Sequence, residues 1–369
     1  MQYQNSGKSD ESILVCNAGS GSLEMQLWED GQLKDSTTTE GEQHKLLDDF
    51  TAFLTHSTPC DYILHRVVHM GDVEQNPLRV NDEILALIKH WQPLAPLHNG
   101  IALALIEKGK ARWPDAKQFV FSDSALYSDL PEHARHYPLP EKLSSGWPIK
   151  KYGFHGLAHQ SQWRLLQEQK QYSRVITIQL GGGSSLTAWQ DGEVLDTTMG
   201  FTPTDGVPMT TRSGGVDPNI VLHLIEREHY SVAQLNKLFN HEAGLLGLSG
   251  VSGDYRDLTI SEEPAAKFAI AVFSYRLTQA IGSLMAVMGG VDAIGFGGGL
   301  AENQPALREA CLQPLAGLGV VVSSEKNDAE NELCAIHSEN SSTDIWISPN
   351  QECNEMHSQF QTYKEKVLL

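Results

Sequence analysis

Backbone N–H groups that glycine allows to crowd together can cradle a phosphate. This chain has three places of that kind: residues 17–22 (NAGSGS), 181–185 (GGGSS) and 297–303 (GGGLAEN). None has the G-x-x-x-x-G-K-[ST] spacing of a P-loop. The first two join strands in hairpins rather than leading a strand into a helix, so a dinucleotide-binding fingerprint is a poor reading as well. Any one of them alone is better read as a tight turn, but three in one chain point toward a nucleotide. The charged side chains that could act on a phosphate lie between them. HRVVHMGD (residues 65–72) places Arg66 and His69 at a strand end, and FSDSALYSDLP (121–131) puts Asp123 just after a strand, where a carboxylate is a helix N-cap or a catalytic group. KKYGFHGLAH (150–159) sets His155 and His159 at i, i+4; without a following carboxylate ligand, and with Gly156 beside the first, this is a poor metal pair. Residues 199–218, MGFTPTDGVPMTTRSGGVDP, are too rich in Gly and Pro for regular structure and too low in charge for a solvated loop, and they carry one arginine, Arg212. Long ordered loops of this type are usually functional. Residue type alone leaves open buried salt bridges for Arg66, Asp123 and Arg212, and a satisfied core histidine for His155.

These residues need a scaffold. Residues 13–28 are an apolar run, a Gly/Ser turn, then alternating Leu23, Met25 and Leu27, which predicts a β-hairpin. Residues 61–69 and 118–121 are further strand candidates, and 82–91 and 101–108 have apolar residues at helical spacing. Prolines with Gly146 and two serines punctuate residues 138–148 and mark a loop or domain boundary. Beyond it RVITIQL (174–180) is a strand, and the following LTAWQDGEVLDTT run contains an Asp191-Gly192 hairpin turn. Residues 267–288 form a long apolar helix stopped by Gly289-Gly290, which we assign to the core, and residues 323–344, acidic and serine-rich, read as a surface loop. A glycine-turn hairpin opens each half, a hint of duplicated domains facing a cleft.

Composition narrows the function. The 369 residues carry 27 Lys+Arg against 46 Asp+Glu, a formal net charge of −19, with 40% hydrophobic residues. The length suggests two domains with ordinary cores. So acidic a chain is ill suited to nucleic acid or an anionic membrane surface, both of which call for a basic face. Five scattered cysteines, Cys16, Cys60, Cys311, Cys334 and Cys353, suggest neither a disulfide framework nor a zinc site, and read as free thiols. The N-terminal residues lack the pattern of a secretory signal, and no apolar run approaches the roughly 20 residues that span a bilayer. The expectation is a cytoplasmic protein.

The series NAGSGSL, HRVVHMGD, LAPLHN, FSDSALYSDLP, KKYGFHGLAH, QLGGGSS, MGFTPTDGVPMTTRSGGVDP, GLSGVSGDYRD and FGGGLAEN resembles, in order, the motif series of the acetate kinase family. The resemblance runs from Asn17 to Asn303 and implies an α/β fold of two duplicated actin-like (ribonuclease H-like) domains flanking an active-site cleft. The implied division is residues 1–149 and 150–349, with the tail from about 350 to 369 packing back on the first. The implied activity is reversible transfer of the γ-phosphoryl group of Mg-ATP to acetate, directly and in line; alternatives are propionate or another short carboxylate as acceptor, or a nucleotide-binding relative impaired in catalysis. A homodimer is also implied.

Carried over residue by residue, Arg212 matches the arginine that stabilises the transferring group, and His155 the histidine that donates to the phosphoryl oxygens. Asp123 matches the catalytic aspartate; acetate is already an anion, so its task is to orient Arg66 or the metal. Arg66 matches the residue that grips the substrate carboxylate, and Val68, Leu97, Phe154 and Pro203 match the pocket for the acetate methyl. The implied nucleotide contacts are Gln179, Leu180, Gly181, Gly182 and Gly183; Asp254, Tyr255 and Arg256; and Gly299, Leu300, Ala301, Glu302 and Asn303. Asn17 and Glu352 are the implied magnesium site. The chain departs from the family pattern at Glu24, where a lysine is usual, and at Gln351, which aligns with the usual metal-binding glutamate. Glu24 makes the site less basic.

Overall fold

The computed structural model describes residues 11–19, 21–73, 75–143, 147–328 and 333–367. The chain divides into two compact units after Ser128 and after Asn350, so its last segment belongs with the first unit.

In the first unit β1 (Ser12–Ala18), β2 (Ser22–Glu29) and β3 (Gln32–Glu40) form an antiparallel meander. β4 (Tyr62–Val67) and β6 (Lys117–Ser122) extend the sheet in parallel from β1, and short β5 (Leu78–Arg79) lies antiparallel on the far edge, giving the order β3-β2-β1-β4-β6-β5. Helices α1 (Gln43–His56), α2 (Asp82–Trp91), α3 (Pro96–Arg112) and the C-terminal α13 (Glu352–Val367) belong to this unit. β1, the apolar SILVCNA, is buried along nearly its whole length, as a central strand flanked by parallel and antiparallel neighbours should be.

The second unit repeats the plan. β7 (Arg174–Leu180), β8 (Ser184–Gln190) and β9 (Glu193–Thr197) are the meander; β10 (Ala293–Gly297) and β12 (Asp344–Ile347) run parallel to β7; and β11 (Cys334–Ala335) is the antiparallel edge. The order β11-β12-β10-β7-β8-β9 is the first sheet's order read from the other edge. The second turn of each meander is an Asp-Gly pair with both residues at positive φ, Asp30-Gly31 and Asp191-Gly192, as a tight two-residue hairpin requires. The helices here are α4 (Glu132–Arg135), α5 (Gly156–Gln169), α6 (Pro218–Glu226), α7 (Val232–His241), α8 (Gly244–Ser249), α9 (Tyr255–Ile260), α10 (Pro264–Met288), α11 (Gly299–Asn303) and α12 (Pro305–Leu312).

Three elements differ from the sequence expectation. β3, QLKDSTTTE, has no apolar alternation because it is a solvated strand on the sheet edge, held by its ladder to β2. Residues 323–344 are not simply a surface loop: they supply β11 and bury Asn327, Ile336 and Thr343, although 329–332 lie outside the described residues. α10 is only partly a core helix. It is long and apolar enough to cross a membrane by length and composition, yet Phe273, Leu277 and Ile281 are in the core of the unit while Phe268, Tyr275 and Val287 on other faces are exposed. Of the implied inter-domain break, residues 144–146 lie outside the description.

Candidate active site

Parallel strands deliver chemistry at their carboxyl ends, where the chain leaves the sheet and side chains are no longer committed to its faces. In the first unit β1 and β4 carry Asn17 and Arg66 one residue before their ends, and β6 runs straight into Asp123. The Arg66 guanidinium donates from Nε and Nη2 to Asp123 Oδ2 (3.0 and 2.7 Å) and from Nη1 to Asn17 Oδ1 (3.0 Å). Glu352 Oε1, from the start of α13, stands 3.4 Å from Nη1. All four residues are buried. Burial works against the charged guanidinium, but the Asp123 and Glu352 carboxylates more than offset it and hold Arg66 protonated beyond its ordinary range. Of its five N–H groups three are already committed, so a substrate carboxylate can meet Arg66 with at most two.

Glu24 is part of this network. β1 and β2 pair Asn17 directly with Glu24, and the Asn17 amide Nδ2 donates to Glu24 Oε2 (3.4 Å) and to Glu352 Oε2 (2.8 Å), while Gln26 Nε2 donates to Glu24 Oε1 (3.0 Å). Burial, with Glu24 and Glu352 nearby, pushes the Cys353 thiol well up, so it remains a protonated thiol. For a hard divalent cation the two glutamate carboxylates are suitable donors. Asn17 is not, as it stands: an asparagine ligates through oxygen, and its oxygen is turned to Arg66 while its NH2 faces the carboxylates. Among the described residues no group of three or more His, Cys, Asp or Glu could hold a metal. A magnesium ion here would depend on phosphate and water oxygens for most of its shell, which is its usual habit in nucleotide sites.

The second unit offers a different arrangement. His155 precedes α5 with φ +59°, a left-handed conformation uncommon outside glycine, and its ring lies over the turn between β7 and β8. A Cβ added to Gly183 would come within 3.0 Å of His155 Cε1, 3.1 Å of its Nε2 and 3.6 Å of Arg212 Nη1. His155 and Arg212 thus meet over Gly183, the last of the three glycines of that turn. Arg212 donates to the Pro203 carbonyl (3.2 Å), with the Met209 sulfur at 3.9 Å, and among the described residues no carboxylate pairs with it. Burial lowers its hold on the proton. A half-buried guanidinium without a counter-anion is stabilised by any anion that arrives.

The loop 199–218 holds Arg212 in place by backbone bonds. Met209 N–H donates to the Arg212 carbonyl, Ser213 N–H to Phe239, and Ala243, Leu245 and Leu246 N–H to the Thr211, Met209 and Thr210 carbonyls. Gly244 must be glycine here, since its φ is +61° and a Cβ would lie 2.2 Å from the Met209 oxygen. Tyr137 adds a pin that nothing in its sequence surroundings signalled: its hydroxyl donates to Asp205 Oδ2 (2.8 Å) and accepts from Phe201 N–H (3.0 Å).

The remaining expected positions fall into two groups. Gly181, Gly182, Gly183, Asp254, Arg256, Gly299, Leu300 and Asn303 are partly or fully exposed. Leu180, Tyr255 and Ala301 belong to the core, so a nucleotide can meet only their backbone, and Gln179 is buried, accepting from Gln162. The Glu302 carboxylate is turned inward, one oxygen accepting from both Gly298 N–H (2.7 Å) and Asn350 N–H (3.0 Å); it shapes the turn instead of facing a ligand. Arg256 grips Asp254, the N-cap of α9, at the surface. Of the apolar set, Val68, Phe154 and Pro203 are buried, and the Leu97 side chain lies outside the described residues. The histidine pair is no metal site: His159 is wholly buried, bonded to Thr177 and Ser185, and burial pulls it down to about 3. His69 is likewise neutral and structural, stacked on Trp91 and accepting from Gly71 N–H.

The family model described as the acetokinase family matches residues 32–356. A relative from Thermoanaerobacterium thermosaccharolyticum named acetate kinase is 34% identical over 92% of this chain and 96% of its own. Among solved structures, an acetate kinase from Porphyromonas gingivalis superposes with a TM-score of 0.84 at 29% identity, covering 95% of this chain and 99% of that one. A propionate kinase from Francisella tularensis does so with 0.83 at 30% identity, covering 95% and 98%. With the duplicated sheets and the order of motifs, these likenesses establish that the chain belongs to the acetokinase family.

Proposed function

We propose that this protein is an acetate kinase, a phosphotransferase that moves the γ-phosphoryl group of ATP to acetate and back. The observation that carries the mechanism is Arg212, a half-buried cation with no carboxylate partner among the described residues, beside the His155 ring over Gly183. Transfer to a carboxylate brings two anions together, so the protein must supply positive charge and alignment. Arg212 stabilises the charge on the transferring group and His155 donates to its oxygens. The acetate carboxylate needs no base, and Asp123 acts by holding Arg66, to which it is doubly bonded, while Arg66 offers its remaining N–H groups to the acetate oxygens. The family resemblance assigns the methyl group to the positions of Val68, Phe154 and Pro203, each of them buried within its own unit. The Gly181, Gly182, Gly183 turn, with Asp254, Arg256, Gly299, Leu300 and Asn303, receives the nucleotide. Magnesium, held by Glu352 with Glu24 nearby, would neutralise phosphate charge.

Acceptor choice is open to propionate, because a methylene in an apolar pocket is worth only about 1–3 kcal/mol. The protein works as a homodimer in the cytoplasm: α6 has no buried residue and exposes Ile220, Leu222 and Ile225, α10 exposes Phe268 and Tyr275, and all five cysteines are free. A dimer would cover that apolar area. The domain division at 149/150, with the tail on the first domain, belongs to the same reading, but the compact units part earlier, after Ser128.

Incubation with Mg-ATP and acetate, propionate or butyrate, followed by trapping as hydroxamate, tests the activity. Acyl phosphate from at least one acid is expected, and none from any of the three overturns the reading. Light scattering tests the dimer.

A further inference from the structure

Five side chains between β7, β8 and α5 form one unbroken line. Trp189 Nε1 lies 2.9 Å from Thr177 Oγ1, Thr177 Oγ1 2.8 Å from His159 Nδ1, His159 Nε2 2.8 Å from Ser185 Oγ, and Ser185 Oγ 2.8 Å from His155 Nδ1. Thr177, His159 and Ser185 are completely buried. The β7/β8 register puts Thr177 opposite Thr187 and Gln179 opposite Ser185, so Thr177, Ser185 and Trp189 share one sheet face, and His155 and His159 come down on it one helical turn apart.

The line has a direction because one end cannot be reversed. An indole nitrogen only donates, so Thr177 Oγ1 accepts from Trp189 and has its single hydrogen left for His159 Nδ1. His159, neutral in its buried site, then carries its proton on Nε2 and donates it to Ser185. The Ser185 hydrogen goes on to His155 Nδ1. Any other assignment strands a buried hydroxyl hydrogen without an acceptor, at about 1–3 kcal/mol. A doubly protonated His155 would do the same, since Ser185 would then receive two donors and give to none.

We infer that Thr177, His159 and Ser185 form a directional relay that holds His155 as the neutral tautomer with its proton on Nε2, the ring nitrogen that lies over Gly183 beside Arg212. The imidazole is thereby set in advance as a hydrogen-bond donor toward an anion at that point. With the proton on Nδ1 instead, the Nε2 lone pair would face the anion and repel it. Thr177, His159 and Ser185 are positioning residues, acting through His155. The inference deepens the proposed phosphoryl transfer and rests on it for its purpose, but the tautomer itself can be read without any substrate.

The test is long-range 1H–15N NMR of the histidine rings in the substrate-free protein, with His155→Gln to identify the His155 signals. The expected result is an Nε2–H, Nδ1-bare pattern for His155 near pH 7. Thr177→Val keeps the side chain's shape and removes the hydroxyl; it should shift His155 toward mixed tautomers and lower kcat by about 10- to 100-fold with the acetate KM little changed, while Thr177→Ser restores both. His155 found with its proton on Nδ1, or doubly protonated, overturns the relay. So does a folded Thr177→Val protein whose His155 pattern is unaltered. If Thr177→Val does not fold, Trp189→Phe, which frees the hydrogen of Thr177 to turn, replaces it with the same two readouts. An Nε2–H tautomer in a protein that makes no acyl phosphate would leave the relay standing and remove the kinase reading.

Discussion

In the first unit the Arg66 guanidinium is met by Asp123, Asn17 and Glu352, all within 3.4 Å, whereas in the second Arg212 hydrogen-bonds to the Pro203 carbonyl and the Met209 sulfur and pairs with no carboxylate among the described residues. Arg66 has its anions built in, whereas Arg212 has none among the described residues. The environment, not the side chain, decides which arginine is already neutralised by carboxylates and which has none among the described residues. The net charge of −19 sharpens the point, since global steering of anionic substrates is unfavourable and attraction has to be local.

The contrast can be broken most forcefully at Arg212. Arg212→Ala should cut turnover by about 10³-fold or more, the scale of an arginine that stabilises phosphoryl charge, with the melting temperature almost unchanged because no ion pair is lost. Activity that survives would show that Arg212 is not the responding residue. Arg66→Ala should instead unfold the protein more easily. It leaves Asp123 buried without its partner, at about 3–5 kcal/mol in a urea titration, together with weakened acetate binding. Equal stability losses in the two variants would erase the distinction.

A smaller effect separates the interiors from the surface. Burial holds His65 down to about 4, and His69 and His159 to about 3, so their neutral forms are favoured in the folded protein. Depressed folded values mean that the stabilisation is complete above the unfolded histidine value near 6.5 and is lost as pH falls below it toward 3–4. Melting temperature should therefore be flat in this respect above pH 6.5 and fall progressively below it. By NMR, His65, His69 and His159 should not titrate between pH 8 and 5. The smallest effect is at Glu24. Glu24→Gln keeps an acceptor for Asn17 but removes a carboxylate that reaches Arg66 only through Asn17, and the acetate KM should fall a few-fold, about 1 kcal/mol, with kcat retained. An unchanged or raised KM would mean that Glu24 does not oppose the substrate.

Much of this was legible in one dimension wherever the signal is local. The Asp191-Gly192 turn, the β-branched RVITIQL strand and the Gly289 stop of α10 depend on backbone preferences of neighbouring residues, and each appears where expected. β3 was silent because an exposed edge strand needs no apolar period, and β11 because two residues paired to β12 are too short for any pattern. The inward turn of Glu302 was illegible for a different reason. Its partners Gly298 and Asn350 are 4 and 48 residues away, and nothing in GGGLAEN tells a ligand-facing glutamate from one that ties down a turn.

The order of motifs, the acidic balance and the identities of Arg66, Asp123, His155 and Arg212 were determined by the sequence itself, because residue type and spacing decide what chemistry is available. What each group is free to do was decided by tertiary structure. Asn17 meets Glu352 across 335 residues, and that contact turns the asparagine oxygen to Arg66. His159 acquires its tautomer from a threonine on β7 and passes it to His155 through a serine on β8. Hydrogen-bond direction and counter-ion supply are properties of neighbours in space, and folding is what chooses the neighbours.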